Sequence, residues 1–135
     1  MENQGPEMIL VYNADSGFFN TIKDALHKTI LPSTYQCNLC ALTYGTISMK
    51  SRWKEFIARL ELSSKFLHKD EFYKILESHP HKIENISFPA IFLHKKGMMC
   101  LFVNSNEINR CKTLEDLMSL IDMKVKTFKK KKQSQ

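Results

Sequence analysis

The sequence predicts an α/β fold in which helices cover a mixed four-stranded sheet. Two observations support this prediction: strand-like apolar runs alternate with segments of helical periodicity, and two of these runs are joined by a very short turn. Strands separated by helices favour parallel pairing through right-handed crossovers, whereas the short turn requires an antiparallel hairpin. A chain of 135 residues is long enough to bury one core of this kind.

The first strand and the helix after it are predicted from a change of period. Residues Met8–Tyr12 form a continuous apolar run, which indicates a strand that is buried on both faces. The polar turn Asn13–Gly17 follows it, and apolar residues then recur at helical spacing until Pro32 ends the segment.

The rest of the chain predicts two more helices, one more strand and a hairpin before the final helix. Apolar periodicity, caps and turn residues place these elements as follows: a helix over Ser48–Leu60, a strand over Lys65–His68, a helix capped by Asp70, hairpin strands over Phe88–Leu93 and Met98–Val103, and a last helix from Thr113.

Composition limits the class of protein. A hydrophobic content of 43% with 25% charged residues is typical of a globular protein and excludes an intrinsically disordered one. The polar start of the sequence does not look like a signal peptide, and no apolar run approaches the length of a membrane span. We therefore expect a cytoplasmic protein, in which cysteines are thiols, metal ligands or a catalytic pair.

The main candidate site is the C-x-x-C motif formed by Cys37 and Cys40. Positions three residues apart share one face of a helical turn, so both sulfurs can meet one partner. That partner is either the other sulfur, in a redox pair, or a zinc ion. For zinc, His27 is the nearest further ligand and Asp15 a weaker one. An incidental pair of buried cysteines is the alternative without function.

The other two cysteines carry weaker expectations. Cys100 lies in the middle of an apolar strand, so we expect it to pack in the core. Cys111 lies in a polar loop, where we expect a free thiol.

The turn after the first strand is a candidate ligand site. Backbone N–H groups in such a turn, at the start of a helix, are where α/β sheets commonly bind anions. The candidate binding residues are Asn13, Asp15, Ser16 and Gly17. The turn is not a P-loop, since it has one glycine and no Gly-Lys-Ser/Thr ending. A simple capping turn is the alternative.

Basic charge is concentrated at the end of the chain. Six lysines follow Asp122 with no acidic residue among them, and they equal the whole net charge of +6. We expect a single domain over residues 1–123 and a disordered basic tail over 124–135. Such a tail is able to bind polyanions weakly and with steep salt dependence. Removal of residues 126–135 is then expected to leave stability nearly unchanged.

The order of elements, the C-x-x-C motif and the Phe88-Pro89-Ala90 stretch before the hairpin resemble the thioredoxin-like superfamily. This resemblance implies a cis proline at Pro89, facing the active site. One departure is that Cys37 comes only after a further helix, which implies a helical C-x-x-C insertion after the first strand. The stretches 12–17 and 37–45 are also similar to small uncharacterised prokaryotic proteins.

Taken together, the leading hypothesis is a thiol-dependent protein that uses Cys37 and Cys40 as a redox pair with a protein thiol partner. The first alternative is a non-catalytic zinc-binding or small-ligand-binding module built on the same cysteines. The second is an interaction protein that binds polyanions through its lysines.

Overall fold

The computed structural model describes residues 5–14, 37–45, 49–78, 83 and 85–133. Within them the chain forms a mixed sheet of four strands, as predicted, and their order in the sheet is β2-β1-β3-β4. The strands are β1 (Glu7–Val11), β2 (Ser63–Leu67), β3 (Ala90–Lys95) and β4 (Met98–Val103). The predicted helix between Gly17 and Pro32 lies outside the described residues.

Strand β1 lies in the middle of the sheet. It pairs in parallel with β2, where Ile9 lies opposite Lys65, and antiparallel with β3, where Val11 lies opposite Ala90. Its residues Met8 to Val11 are all buried, because alternate side chains enter the cores on the two faces of the sheet. The prediction that this strand is buried on both faces is confirmed.

Five helices are present in the described part of the chain: α1 (Asn38–Thr43), α2 (Ser51–Arg59), α3 (Lys69–Glu77), α4 (Ser105–Asn109) and α5 (Leu114–Gln133). Helix α4 was not predicted, because its five residues are too few to show a helical period. Asp70 is not the cap of α3. The helix begins after His68, whose backbone N–H donates to the Glu71 carboxylate over 2.7 Å.

The two faces of the sheet carry different helices. Helices α1, α2, α4 and α5 contribute to the larger core with Met8, Leu10 and the other residues on their face of the sheet. Helix α3 covers the opposite face, where Phe72 stacks on Phe92 with ring centroids 4.5 Å apart. The sheet is therefore the middle of three layers.

The hairpin between β3 and β4 follows from its turn residues. Lys96 and Gly97 both have positive φ, at 51° and 78°, as a two-residue turn between antiparallel strands requires. The peptide bond between Phe88 and Pro89 is cis, which confirms the cis proline that the resemblance implied. Strand β3 begins only at Ala90, because proline has no N–H to donate to a neighbouring strand.

The end of the chain corrects the expectation of a disordered tail from residue 124. Helix α5 continues to Gln133. Val125 is buried, and Phe128 packs against the larger core. These two residues extend the apolar spacing of Leu117 and Ile121 into the lysine-rich segment. Among the described residues, no helix is long and apolar enough to cross a membrane.

Candidate functional site

The C-x-x-C motif forms the start of helix α1. Cys37 is the N-cap residue, in extended conformation, and its Sγ accepts a hydrogen bond from the Cys40 backbone N–H over 3.2 Å. Its carbonyl accepts from the Ala41 N–H over 2.9 Å, which opens the helix. The sulfur thus takes the place that a serine or aspartate oxygen commonly has at a helix N-terminus.

The motif lies against the end of strand β1. The backbone N–H of Asn13 donates to Cys37 Sγ over 3.4 Å, although the two residues are 24 positions apart in sequence. The structure thus brings together one member of the predicted turn and the predicted cysteine pair. Two N–H dipoles, from Asn13 and Cys40, therefore point at the same sulfur atom.

The two cysteines are close enough to bond to each other. Their Cα atoms are 5.2 Å apart and their Sγ atoms lie at disulfide distance. Neither residue is exposed, however: only 2% and 1% of the surfaces of Cys37 and Cys40 are accessible, whereas a redox-active cysteine is commonly partly exposed. The reason is that the motif packs into the larger core with Leu39 and Tyr12.

The residue between the cysteines fixes the position of the motif. The side-chain amide of Asn38 donates to the carbonyls of Ile108 and Cys111 over 2.8 and 2.9 Å. Ile108 lies in the last turn of α4, where its carbonyl also accepts from the Cys111 N–H over 3.0 Å, and Cys111 lies two residues beyond the helix. Asn38 therefore links the cysteine pair to the connection between α4 and α5. Sequence reasoning missed this role, because the two acceptors are about 70 residues away.

Aromatic side chains surround the end of β1 next to the motif. The Tyr12 ring contacts the rings of Tyr44, Phe66 and His68, with centroids 5.8 to 6.1 Å apart. Burial, together with the charge and hydrogen bond of Tyr44, raises the pKa of Tyr12 far above its usual value. Its phenol consequently stays protonated at the alkaline pH where an exposed tyrosine ionises. Tyr12 was predicted only as the end of a strand.

The remaining cysteines are both free thiols, and one of them corrects a prediction. Cys100 is exposed rather than packed in the core, because β4 is an edge strand with several exposed side chains. Cys111 is free, as expected, but it is buried. Burial raises the pKa of the Cys111 thiol, and the nearby carboxylates of Asp116 and Glu107 raise it further. A buried thiol with a raised pKa, such as that of Cys111, is the opposite of an activated nucleophile.

Several predicted site residues lie outside the described part of the chain. They are Asp15, Ser16 and Gly17 of the proposed anion-binding turn and His27 of the proposed zinc site. Among the residues that the structure does describe, no three His, Cys, Asp or Glu side chains are grouped to hold a metal ion.

Comparison of the chain with family models, with curated proteins and with solved structures found no match. The function therefore has to be inferred from the residues and their geometry.

Proposed function

We propose that this chain is a thiol-dependent protein of thioredoxin-like fold, in which Cys37 and Cys40 interconvert between dithiol and disulfide. The observation that carries the proposal is the cysteine pair at disulfide distance, with Cys37 at the N-terminus of a helix and two N–H groups directed at its sulfur. Hydrogen bonds of this kind favour a thiolate over a thiol.

The arrangement of the strands supports the fold in this proposal. A central β1 between a parallel β2 and an antiparallel β3 matches the strand pattern expected for that fold. The motif is distant from β1 in sequence but contacts its end through Asn13. Pro89 immediately precedes β3, whose first residue, Ala90, pairs with Val11 near the same end of β1.

The reaction follows from the positions of the two sulfurs. In the reduced protein the Cys37 thiolate attacks a sulfur of a partner's disulfide, forms a mixed disulfide and releases one partner thiolate. Cys40 then loses its proton and attacks Cys37 Sγ, which releases the second partner thiolate and closes the Cys37–Cys40 bond. Two electrons pass from this chain to the partner. We assign this chemistry to a cytoplasmic protein acting on a protein disulfide.

Burial of both sulfurs sets a condition on this reaction. A partner reaches Cys37 only when the residues around α1 move away, so exchange is slow with bulky reagents and faster with small ones.

The test is equilibration of the native protein in glutathione buffers of graded potential, followed by acid quenching, alkylation and mass analysis. A variant with Cys100→Ser and Cys111→Ser removes the other thiols and serves as the background. We expect the pair to convert in one two-electron step and Cys40→Ser to trap a mixed disulfide at Cys37. A pair that responds only after denaturation would instead be a structural part of the core.

The same samples distinguish zinc binding. The protein is purified without added metal or reductant and its mass is measured by native mass spectrometry. Bound zinc increases the mass, whereas a disulfide lowers it by two protons. Bound zinc, released by a chelator together with a loss of stability, would overturn the redox proposal in favour of a metal site.

A further inference from the structure

The last turns of helix α5 are fixed against the β3–β4 hairpin. The Phe128 ring packs edge-on against Phe102 of β4, with centroids 6.4 Å apart. The Lys95 ammonium of the hairpin lies 5.7 Å from the centre of the same ring. The end of α5 and the hairpin turn, both of which carry lysines, thus lie side by side, although about 30 residues separate them in sequence.

This surface has an excess of positive charge. Five lysines lie in the 123–131 segment of α5, and Lys95 and Lys96 add two from the hairpin. Acidic side chains that form ion pairs with these lysines in the described residues are Glu107 with Lys124, Asp122 with Lys126 and Glu61 with Lys129. The lysines outnumber these acids, so the surface attracts anions.

Two methionines are exposed among the lysines. Met98, opposite Lys95 in the hairpin, is 53% exposed, and Met123 of α5 is 56% exposed. Met123 lines two adjoining open grooves: one includes Phe102, Lys124 and Phe128, and the other includes Lys126 and Lys130. We call the surface formed by Lys95, Lys96, Met98 and the 123–131 segment of α5 the basic methionine face.

We propose that the basic methionine face docks on membranes that contain anionic lipid. Lysines are attracted to the negative headgroups, and exposed methionine side chains gain by leaving water for the region between headgroups and acyl chains. Single-stranded nucleic acid binds instead through lysines and exposed aromatic faces on which bases stack. Here Phe128 is half-buried, with Lys95 over its ring, so the exposed apolar groups are aliphatic. This composition favours a lipid surface.

The test measures co-sedimentation of the full-length protein with vesicles of phosphatidylcholine alone or mixed with phosphatidylserine. We expect binding only to the anionic vesicles, decreasing as salt is raised. The variant Lys96→Gln/Lys126→Gln/Lys130→Gln changes three exposed lysines of the face, and we expect its binding to weaken on the order of 100-fold at low salt. The variant Met98→Gln/Met123→Gln is expected to weaken binding several-fold.

Matched controls distinguish binding by the basic methionine face from general effects of charge and hydrophobicity. Lys50→Gln/Lys54→Gln/Lys74→Gln removes the same charge from exposed positions elsewhere, and Leu101→Gln changes an exposed apolar residue of β4 opposite Phe92, which belongs to the other core. Both controls are expected to bind as the unmodified protein does. Circular dichroism and thermal melting of each variant verify that it is folded.

Two results would overturn the proposal. One is equal sedimentation with neutral and anionic vesicles, or none with either, at low salt. The other is tight binding to an RNA or DNA oligonucleotide that the lysine variant abolishes and the methionine variant leaves unchanged. That second result would make the face a nucleic-acid surface.

Discussion

At the scale of single residues, Tyr12 and Asn38 do most to place the cysteine pair in its surroundings. Tyr12 supplies a protonated aromatic group to the core that also holds Cys37 and Cys40. Asn38 contributes two hydrogen bonds that cross from α1 to the end of α4. Both residues act through contacts with elements distant in sequence, which is why neither was predicted as part of the site.

The raised pKa of Tyr12 predicts that the protein becomes less stable as the pH rises above 10. An unfolded tyrosine ionises near pH 10, whereas the folded state keeps the Tyr12 phenol protonated, mainly because it is buried. Above pH 10 the native state therefore holds a proton that the unfolded state releases, so the contribution of Tyr12 to stability falls as pH rises. For one such group the slope approaches about 1.4 kcal/mol per pH unit.

Urea unfolding at pH 9, 10 and 11 measures this effect as the difference between the unmodified protein and Tyr12→Phe. The stability advantage of the unmodified protein is expected to shrink between pH 10 and 11, because phenylalanine has no proton to lose. Tyr73→Phe is the control, since that side chain is 48% exposed. Parallel pH profiles for Tyr12→Phe and the unmodified protein would show that Tyr12 ionises normally.

At the scale of elements, helix α5 has two roles along its length. Its first part packs Leu117 and Ile121 into the larger core, and its last turns present lysines to solvent while Val125 and Phe128 continue the packing. The same segment therefore contributes to folding and carries the charge. Removal of residues 126–135 is accordingly expected to lower stability, because it takes away Phe128, contrary to the expectation from sequence.

Replacement of Phe128 tests this without removing lysines. Phe128→Ala deletes the ring that contacts Phe102 and Lys95, and we expect a loss of about 1–2 kcal/mol, less than for a fully buried phenylalanine. Thermal or urea unfolding gives the value. Lys130→Ala, at an exposed position two residues away, is the control and is expected to change stability little. Equal effects of both substitutions would mean that the end of α5 does not pack on the hairpin.

At the scale of the whole molecule, the sheet and its two cores determine stability more than the cysteine pair does. Cys37 and Cys40 are three positions apart, so a bond between them closes only a small loop. By restricting the unfolded chain, a disulfide that closes so small a loop stabilises the folded protein by about 2 kcal/mol. Reduction is therefore expected to leave the protein folded but less stable by roughly that amount.

Thermal and urea unfolding with and without a phosphine reductant test this expectation. The variant Cys37→Ser/Cys40→Ser should lose its response to reductant, whereas Cys100→Ser, at an exposed free thiol, should keep it. Identical unfolding curves with and without reductant would contradict the prediction that the Cys37–Cys40 bond forms in solution.

Local patterns in the sequence determined the elements of the fold. The apolar run 8–12 predicted a strand buried on both faces, and the Lys96–Gly97 turn predicted the hairpin, because each depends on neighbouring residues alone. The C-x-x-C spacing likewise predicted that both sulfurs can meet one partner, since positions three apart share one helical face, and in the structure the sulfurs lie at disulfide distance from each other.

Only the tertiary structure decided how these elements surround the cysteines. The contact of Cys37 with Asn13, the burial of both sulfurs and the exposure of Cys100 depend on which elements pack together and which strand lies at the edge. The extension of α5 through the lysines was missed for the same reason. Repulsion among the lysines disfavours an isolated helix there, and the packing of Phe128 on Phe102 of β4, a residue far away in sequence, offsets this repulsion.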